Sequence, residues 1–149
     1  MQKIAKYIAT LGCVGYFPVA PGTAASLVAL GIYFLIGGDN AILLFCVVAA
    51  ALTVGFWSSQ VACGEFAVKD PPQIVIDEFA AMLLVYVFVP FKPVFLVAGF
   101  VIFRILDIFK IPFIKKLELL PGGIGIMTDD IAAALITNIT LQIARIFIV

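Results

Sequence analysis

Five long apolar segments, separated by short stretches of proline, glycine and charge, restrict the fold of this chain more than any other feature. They cover residues 22–36, 41–62, 74–90, 94–109 and 131–149. A helix needs about 20 apolar residues to cross a bilayer, with a range near 17 to 25; the second and fifth segments reach this length easily. Because lipid offers no partner to an open backbone group, spanning segments of this kind are helical. The pattern predicts an all-α polytopic membrane bundle with about four to five apolar helices.

The composition agrees with a membrane protein. Charged residues make up 12% of the 149 residues, whereas soluble domains contain about 25%. This length fits one domain, so we expect residues 1–149 to form a single membrane-embedded unit. Residues 3–17 fit an N-terminal segment that lies along the membrane surface. The net charge of zero gives a nucleic-acid partner no electrostatic support, and no obligatory protein partner is evident.

The absence of histidine excludes several kinds of catalytic site. Phosphatases that form a phosphohistidine, Ser–His triads and histidine–carboxylate metal centres all require that residue. The three cysteines are widely spaced and form no CxxC pair, so neither a zinc site nor a disulfide framework is indicated. Carboxylates are the remaining candidates for catalytic groups.

Five acidic residues lie at the ends of apolar segments, where an ionised side chain costs at least about 2.5 kcal/mol on insertion scales. If segments three, four and five each span, the start of the third, the end of the fourth and the start of the fifth share one membrane face. Two cations, Arg104 and Lys110, flank the central acid at a spacing of three on the same helical stripe. The acids of this face are Asp77, Glu78, Asp107, Asp129 and Asp130.

The distribution of lysine predicts the orientation of this face. If the first two segments also span, Pro21-Gly22-Thr23 lies on the side of the acids. The same side carries most of the basic residues, whereas the opposite loops contain Lys92, with Arg145 near them in the last segment. By the positive-inside rule the acidic face is cytoplasmic. Its lysines are Lys3, Lys6, Lys69, Lys115 and Lys116.

A carboxylate cluster without histidine or thiolate selects a hard cation, and Mg²⁺ fits best because it also binds substrate phosphate. Arginine suits phosphate because its planar fork donates two parallel bonds. The glycine-rich stretch 122–125, followed by Thr128 as an N-cap, predicts a flexible loop that feeds a helix start and approaches phosphate. Structural alternatives stay open: an Arg104–Asp107 pair that fixes packing, and acids that complement a helix dipole.

Several stretches resemble the phosphatidylglycerophosphatase A family of bacterial membrane phosphatases, in the family's order. They are Pro21-Gly22-Thr23-Ala24-Ala25-Ser26-Leu27, Lys69-Asp70-Pro71, Ile74-Val75-Ile76-Asp77-Glu78-Phe79, Phe103-Arg104-Ile105-Leu106-Asp107-Ile108-Phe109-Lys110 and Gly122-Gly123-Ile124-Gly125-Ile126-Met127-Thr128-Asp129-Asp130. The chain departs from the family's usual glycines at Ala25, Ala81 and Ala133, and from a common histidine at Pro121. The acidic positions and Arg104 are all retained.

The resemblance implies an all-helical lipid phosphatase of the bacterial inner membrane. It would remove the terminal phosphate of phosphatidylglycerophosphate with Mg²⁺, at a site that faces the cytoplasm and opens sideways to lipid. The five acids are the candidates for Mg²⁺ ligation and water activation, and an aspartyl-phosphate route stays open. Arg104, Lys110 and Thr23 are the candidates for phosphate binding.

Two other functions remain as alternatives. A head-group transferase that uses Mg²⁺ would share the carboxylates, but its usual DGxxAR signature is absent from this chain. An ion or proton transporter would also contain intramembrane acids, but along a pathway that reaches the middle of the bilayer. Here the acids lie at segment ends, which favours a phosphatase.

Overall fold

The computed structural model describes residues 1–36, 40–66 and 71–148, and that part of the chain contains helices and no strand. The expected all-α class is therefore confirmed. In these described ranges there are seven α-helices, and a short 3-10 turn, Val14–Tyr16, separates the first two. The helices are α1 (Gln2–Ala9), α2 (Pro21–Ile36), α3 (Ala41–Cys63), α4 (Ile76–Val85), α5 (Pro93–Phe109), α6 (Pro112–Glu118) and α7 (Gly123–Ile148).

Two helices of the described chain are long and apolar enough to cross a membrane. They are Ala41–Cys63 and the Gly123–Phe147 part of α7. Helix α2 is apolar but has 16 residues. Length and composition thus support two spans, and the larger bundle of four to five membrane helices is not established by them. Helix α6 lies between the fourth and fifth apolar segments, where the sequence pattern predicted no apolar helix.

Helix α4 forms the centre of the molecule. All but three of its ten residues are buried, and α2, α3, α5 and α7 pack around it. The outward sides of these four helices remain apolar, as shown by exposed residues such as Leu27, Trp57, Val97 and Ile139. The molecule is therefore apolar both inside and outside at the level of its long helices, which is typical of a protein surrounded by lipid.

The three alanines that replace family glycines lie inside this packing. Ala25, Ala81 and Ala133 each have 0% exposed surface. Small side chains allow helix backbones to approach closely, and alanine adds only one methyl group to glycine. The alanines are therefore compatible with close packing of the helices at these positions.

The helix in segment 74–90 is much shorter than a span. Helix α4 ends at Val85, and turns follow it inside the protein. The amide nitrogen of Asn138 on α7 donates to the carbonyls of Val85 and Val87, at 2.9 Å each, and Gln142 donates to the Val87 carbonyl at 3.3 Å. Irregular backbone at membrane depth is tolerated where protein groups bind it in this way.

Helix α7 begins eight residues before the predicted segment, at Gly123. The Gly123 amide donates to the Gln60 side chain at 2.9 Å, and a Cβ atom on Gly123 would overlap the backbone of Gln60. Gly122 and Gly123 therefore serve close packing against α3, and the predicted flexible loop is wrong, because the helix already begins at Gly123. Thr128 is not an N-cap, because it lies within α7 and donates to the Ile124 carbonyl at 2.7 Å.

The helix ends that the order of the apolar segments predicts to share one face lie together at one end of the bundle. Helices α2, α4 and α7 begin there, and α3 and α5 end there: Glu78 lies against Gly22, Gln60 bonds Gly123 and Lys110 bonds Asp129. Lys69 and Asp70, which the sequence also assigns to this end, lie outside the described residues. The alternation of apolar segments thus correctly predicts which acids meet.

Candidate active site

Five carboxylates from three helices line one small cavity of about 170 Å³. The first turn of α4 supplies two of them, the last turn of α5 supplies one, and the second turn of α7 supplies two. Each helix runs in the direction needed to bring its acids to the same end of the bundle. The lining residues are Asp77, Glu78, Asp107, Asp129 and Asp130, together with Lys110, Pro71, Pro72, Ile74 and Ile126.

Two of the acids are neutralised by the predicted cations. Arg104 Nη1 lies 2.6 Å from Asp107 Oδ2, one helical turn away on α5. Lys110 Nζ lies 2.6 Å from Asp129 Oδ2 and 3.3 Å from Glu118 Oε2. Glu118, which the sequence motifs do not single out, is thus also part of this network.

Lys110 keeps its proton at neutral pH. Burial by itself lowers the pKa of this lysine, but the bonded carboxylates of Asp129 and Glu118 raise it above its ordinary value of 10.5. A lysine with a raised pKa is a fixed positive charge rather than a proton donor near pH 7. It therefore suits charge neutralisation and anion binding.

The other three acids form a compact group without such cations. Asp77, Glu78 and Asp130 can each offer an oxygen such that all three oxygens lie within 4.8 Å of one another. Within the described residues, none of them forms a salt bridge, and Asp77 Oδ1, Glu78 Oε2 and Asp130 Oδ2 are buried without a hydrogen-bond partner. The three carboxylates that form no salt bridge in that part of the chain are therefore the ones that converge.

This donor set fits a hard divalent cation. Three carboxylates in a small polar cavity repel one another, and a buried charge without a partner costs several kcal/mol. Mg²⁺ is bound by a few carboxylates while it retains waters and substrate phosphate as further ligands. The orphaned oxygens of Asp77, Glu78 and Asp130 are ligands of this kind.

Glu78 differs from the other two acids of the group in its surroundings. It lies against Gly22 at the start of α2, where a Cβ atom would overlap its Oε1. Helix starts carry a partial positive charge that favours a carboxylate. Arg104 is the nearby cation for Glu78, and Asp107 is a negative neighbour of both Glu78 and Asp130.

Two predicted phosphate-binding residues stand beside the cavity rather than in its wall. Thr23 is half-buried in the first turn of α2, and Arg104 is held by Asp107 with its Nε buried and without a hydrogen-bond partner in the described chain. Of the three residues predicted to bind phosphate, Lys110 alone is among those that line the cavity.

The sequence contained signals for residues that the motif pattern did not single out. Gln60 is a polar residue near the end of the second apolar segment, and Asn138 and Gln142 lie four apart inside the last one. Polar side chains within apolar spans are costly and therefore have partners. That reasoning would have identified all three as structural contacts, although their partners depend on the fold.

Comparisons with known proteins agree with these motifs. The sequence profile of the family Phosphatidylglycerophosphatase A matches residues 7–145. A protein named phosphatidylglycerophosphatase A from Escherichia coli is 35% identical over 125 residues, which is 83% of this chain and 73% of that protein. The protein of the same name from Haemophilus influenzae is 35% identical over 127 residues, or 81% of this chain and 76% of that one.

A third relative carries a different name. It comes from Bacteroides thetaiotaomicron, is provisionally named a phosphatidylinositol-3-phosphatase, and is 31% identical over 142 residues. The alignment covers 88% of this chain and 87% of that protein. No solved structure matches the chain at a significant level.

Proposed function

Because the chain belongs to the phosphatidylglycerophosphatase A family, we propose that it hydrolyses phosphatidylglycerophosphate to phosphatidylglycerol and phosphate with Mg²⁺. The protein is a phosphatase, and thus a phosphoric monoester hydrolase. The observation that carries the magnesium dependence is the convergence of Asp77, Glu78 and Asp130 with their buried oxygens unpartnered. In an ion-pair network that served only stability, we would expect each buried carboxylate to have a partner.

The chain's own residues divide into two groups in this proposal. Asp77, Glu78 and Asp130 hold the divalent cation, which when bound offsets phosphate charge and lowers the pKa of water. Arg104 and Lys110 place two positive charges beside the cation site. Charge that develops on the phosphoryl oxygens during hydrolysis is stabilised by such fixed cations in a site with little water.

Asp107 and Asp129 have a positioning role in this scheme. Each bonds one of the cations at 2.6 Å, so each fixes a flexible basic side chain at the edge of the cavity. A cation held in this way loses less entropy when phosphate binds. Thr23 is proposed as a weaker hydroxyl donor to phosphate from the first turn of α2.

A lipid substrate agrees with the surface around the site. Helices α2 and α5 leave an apolar groove of about 430 Å³ on the outside of the bundle. It lies on the two helices whose ends carry Gly22 and Arg104, so apolar surface continues from the site towards the opposite end of the bundle. The groove is lined by Leu27, Leu30, Phe34, Phe91, Pro93, Leu96, Val97 and Phe100.

The proposal includes a single membrane-embedded domain, residues 1–149, in the bacterial inner membrane. The lipid-like outer surface of α2, α3, α5 and α7 supports a bundle in which these four helices surround the short α4. The lysine distribution supports a site that faces the cytoplasm. In intact cells, a cysteine introduced by Glu118→Cys should not react with a membrane-impermeant thiol reagent. Ready labelling from outside would show the opposite orientation.

Phosphate release from defined lipids tests the proposed function directly. The purified protein should release phosphate from phosphatidylglycerophosphate in Mg²⁺, lose that activity in EDTA and regain it when Mg²⁺ is added. Full turnover in chelator would reject the metal. Absence of turnover with Mg²⁺ present, in a folded preparation, would reject the substrate.

The Bacteroides relative makes a second substrate worth testing in the same assay. Phosphatidylinositol 3-phosphate carries its phosphomonoester on a ring carbon, whereas phosphatidylglycerophosphate carries it on a terminal carbon of glycerol. A higher kcat/KM for the inositol lipid would identify it as the preferred substrate. The proposed roles of the carboxylates would stay the same.

A further inference from the structure

Gly22 is the second residue of α2 and is fully enclosed by the protein near the carboxylate cluster. Its nearest neighbour is the side chain of Glu78. A Cβ atom at this position would overlap Glu78 Oε1 and would lie 2.8 Å from Glu78 Cδ. Contacts this short do not occur in folded proteins, so any side chain at residue 22 would displace the carboxylate.

The rest of α2 shows that this requirement is local. Gly31, in the same helix, has nothing within 4 Å of an added Cβ atom. Glycine lowers helix stability relative to alanine by about 0.5–1 kcal/mol, so neither position is glycine for the benefit of the helix. At residue 22 a close neighbour explains the choice, and the neighbour is a proposed metal ligand.

The start of α2 also suits a carboxylate electrostatically. The first turn of this helix contains no acidic residue of its own, and its free amides carry partial positive charge. Glu78 comes to that place from α4. Its other oxygen, Oε2, is buried without a hydrogen-bond partner in the described chain, and the Glu78 carboxylate belongs to the group that converges with Asp77 and Asp130.

We propose that Gly22 is a positioning residue for the cation site. Its missing side chain lets the Glu78 carboxylate rest against the start of α2 and thereby extend towards Asp77 and Asp130. A side chain at residue 22 forces Glu78 away and reduces the affinity of the group for a divalent cation. The inference rests on the proposed function only in taking this group as the cation site.

A purely structural role for Gly22 makes a different prediction. If the glycine serves only to pack α2 against α4, Gly22→Ala lowers stability by the same amount whatever residue stands at position 78. If Gly22 makes room for Glu78, the effect of Gly22→Ala depends on the length of the side chain at position 78. Glu78→Asp removes one methylene group and so creates space for the alanine methyl group.

The test is a double-mutant cycle read by metal affinity in detergent, without lipid substrate. Four proteins are compared: wild type, Gly22→Ala, Glu78→Asp and the double variant, with Gly31→Ala as the matched control in the same helix. Mg²⁺ affinity is measured by calorimetry and by the rise in melting temperature with Mg²⁺. We expect Gly22→Ala to weaken binding by about 10- to 100-fold, the usual effect of disturbing a group that orients a ligand.

Gly31→Ala should bind Mg²⁺ as the wild type does, and Gly22→Ala should cost much less affinity in the Glu78→Asp background. Equal losses in both backgrounds, or unchanged affinity in Gly22→Ala, would overturn the inference. If Gly22→Ala alone does not fold, recovery of folding in the double variant supports the proposal, and failure of both variants rejects it.

The result is separable from the proposed function. Consider a protein that releases no phosphate from phosphatidylglycerophosphate, but in which the effect of Gly22→Ala on Mg²⁺ affinity depends on residue 78. That result would support this inference and reject the substrate. Phosphate release by a wild-type protein that binds no Mg²⁺ would reject the inference and keep the phosphatase.

Discussion

The two ends of α4 are both polar and both lie against polar side chains of α7, yet they are completed in opposite ways. At and just beyond its last turn, backbone carbonyls of residues 85, 87 and 88 accept hydrogen bonds from the side chains of Asn138, Gln142 and Arg145. At its first turn, Asp77 and Glu78 meet Asp130 with no matching donor in the described chain. One end satisfies its polar groups internally, and the other keeps acceptors in excess.

This is the difference expected between a structural polar cluster and a functional one. A buried acceptor without a partner costs about 1–3 kcal/mol, and more if it is charged. The far end avoids that cost through Asn138, whereas the carboxylate end retains it inside the same fold. Groups held in an unfavourable state by a well-packed scaffold are typical of active sites, where a cation or substrate completes them.

The largest effect expected at the carboxylate end is that of Asp130→Asn. The amide is a poor ligand for a hard cation, so phosphate release per folded molecule should fall by at least about 100-fold, within the range for loss of a catalytic carboxylate. Because one of three mutually repelling charges disappears, the melting temperature in EDTA should not fall. Wild-type activity, or a clear loss of stability with activity retained, would assign Asp130 to the structural class.

Arg104→Lys should have the next largest effect. A cation remains opposite Asp107, so we expect normal folding, but lysine lacks the planar fork that donates two parallel bonds to phosphate. A weakened charge-assisted bond of about 1.5–3 kcal/mol corresponds to about 10- to 150-fold in kcat/KM. Kinetics and thermal unfolding are measured together. A wild-type rate with a lowered melting temperature would place Arg104 among the structural residues.

Asn138→Leu tests the opposite end and should change stability rather than rate. It removes the Asn138 donor from the Val85 carbonyl and leaves the Val87 carbonyl with Gln142 alone, at a cost of about 1–3 kcal/mol in unfolding free energy. Each surviving folded molecule should keep its activity. Thr140→Val on the same helix is the control, because the Thr140 hydroxyl bonds the Ile136 carbonyl of its own helix. A large loss of rate in folded Asn138→Leu would break the distinction between the two ends.

The smallest effect concerns pH and Lys110. Its folded pKa is raised above 10.5, so its contribution to stability is fully present below the unfolded pKa, about 10.4, and is lost as pH rises through the folded value. Lys110→Arg keeps the charge throughout. The difference in unfolding free energy between the wild type and this variant should stay constant from about pH 6 to 9. A change within that range would show that Lys110 titrates in the site.

The sequence predicts the meeting of the acids better than it predicts the helices that bring them together. The second and fourth apolar segments match α3 and α5 within one residue at each end. The first segment matches α2 equally well. Long apolar runs bounded by proline, glycine or charge leave little choice of helix limits, and the order of the segments then determines which ends share a face.

The third and fifth segments show where sequence reasoning failed. Residues 86–90 are as apolar as the helix before them, and their departure from helix depends on Asn138, which lies over 45 positions away. The glycines at 122–125 are typical of a loop, yet the helix begins at Gly123, which packs against Gln60, and so two of the three glycines are helical. In both places a tertiary contact overrides local preference. For the same reason, the role of Gly22 could not be read from its motif.

The Asn138 contact also has a consequence for biosynthesis. Chains leave the ribosome with the N-terminal part first, so α4 is made long before α7. Until Asn138 is translated, the carbonyls of Val85 and Val87 have no amide donor from the last helix, and Asp77 and Glu78 have no neighbour at residue 130. The last helix therefore completes both the hydrogen bonding of the central helix and the candidate site, so we expect the proposed hydrolytic activity to begin only when the whole bundle has assembled.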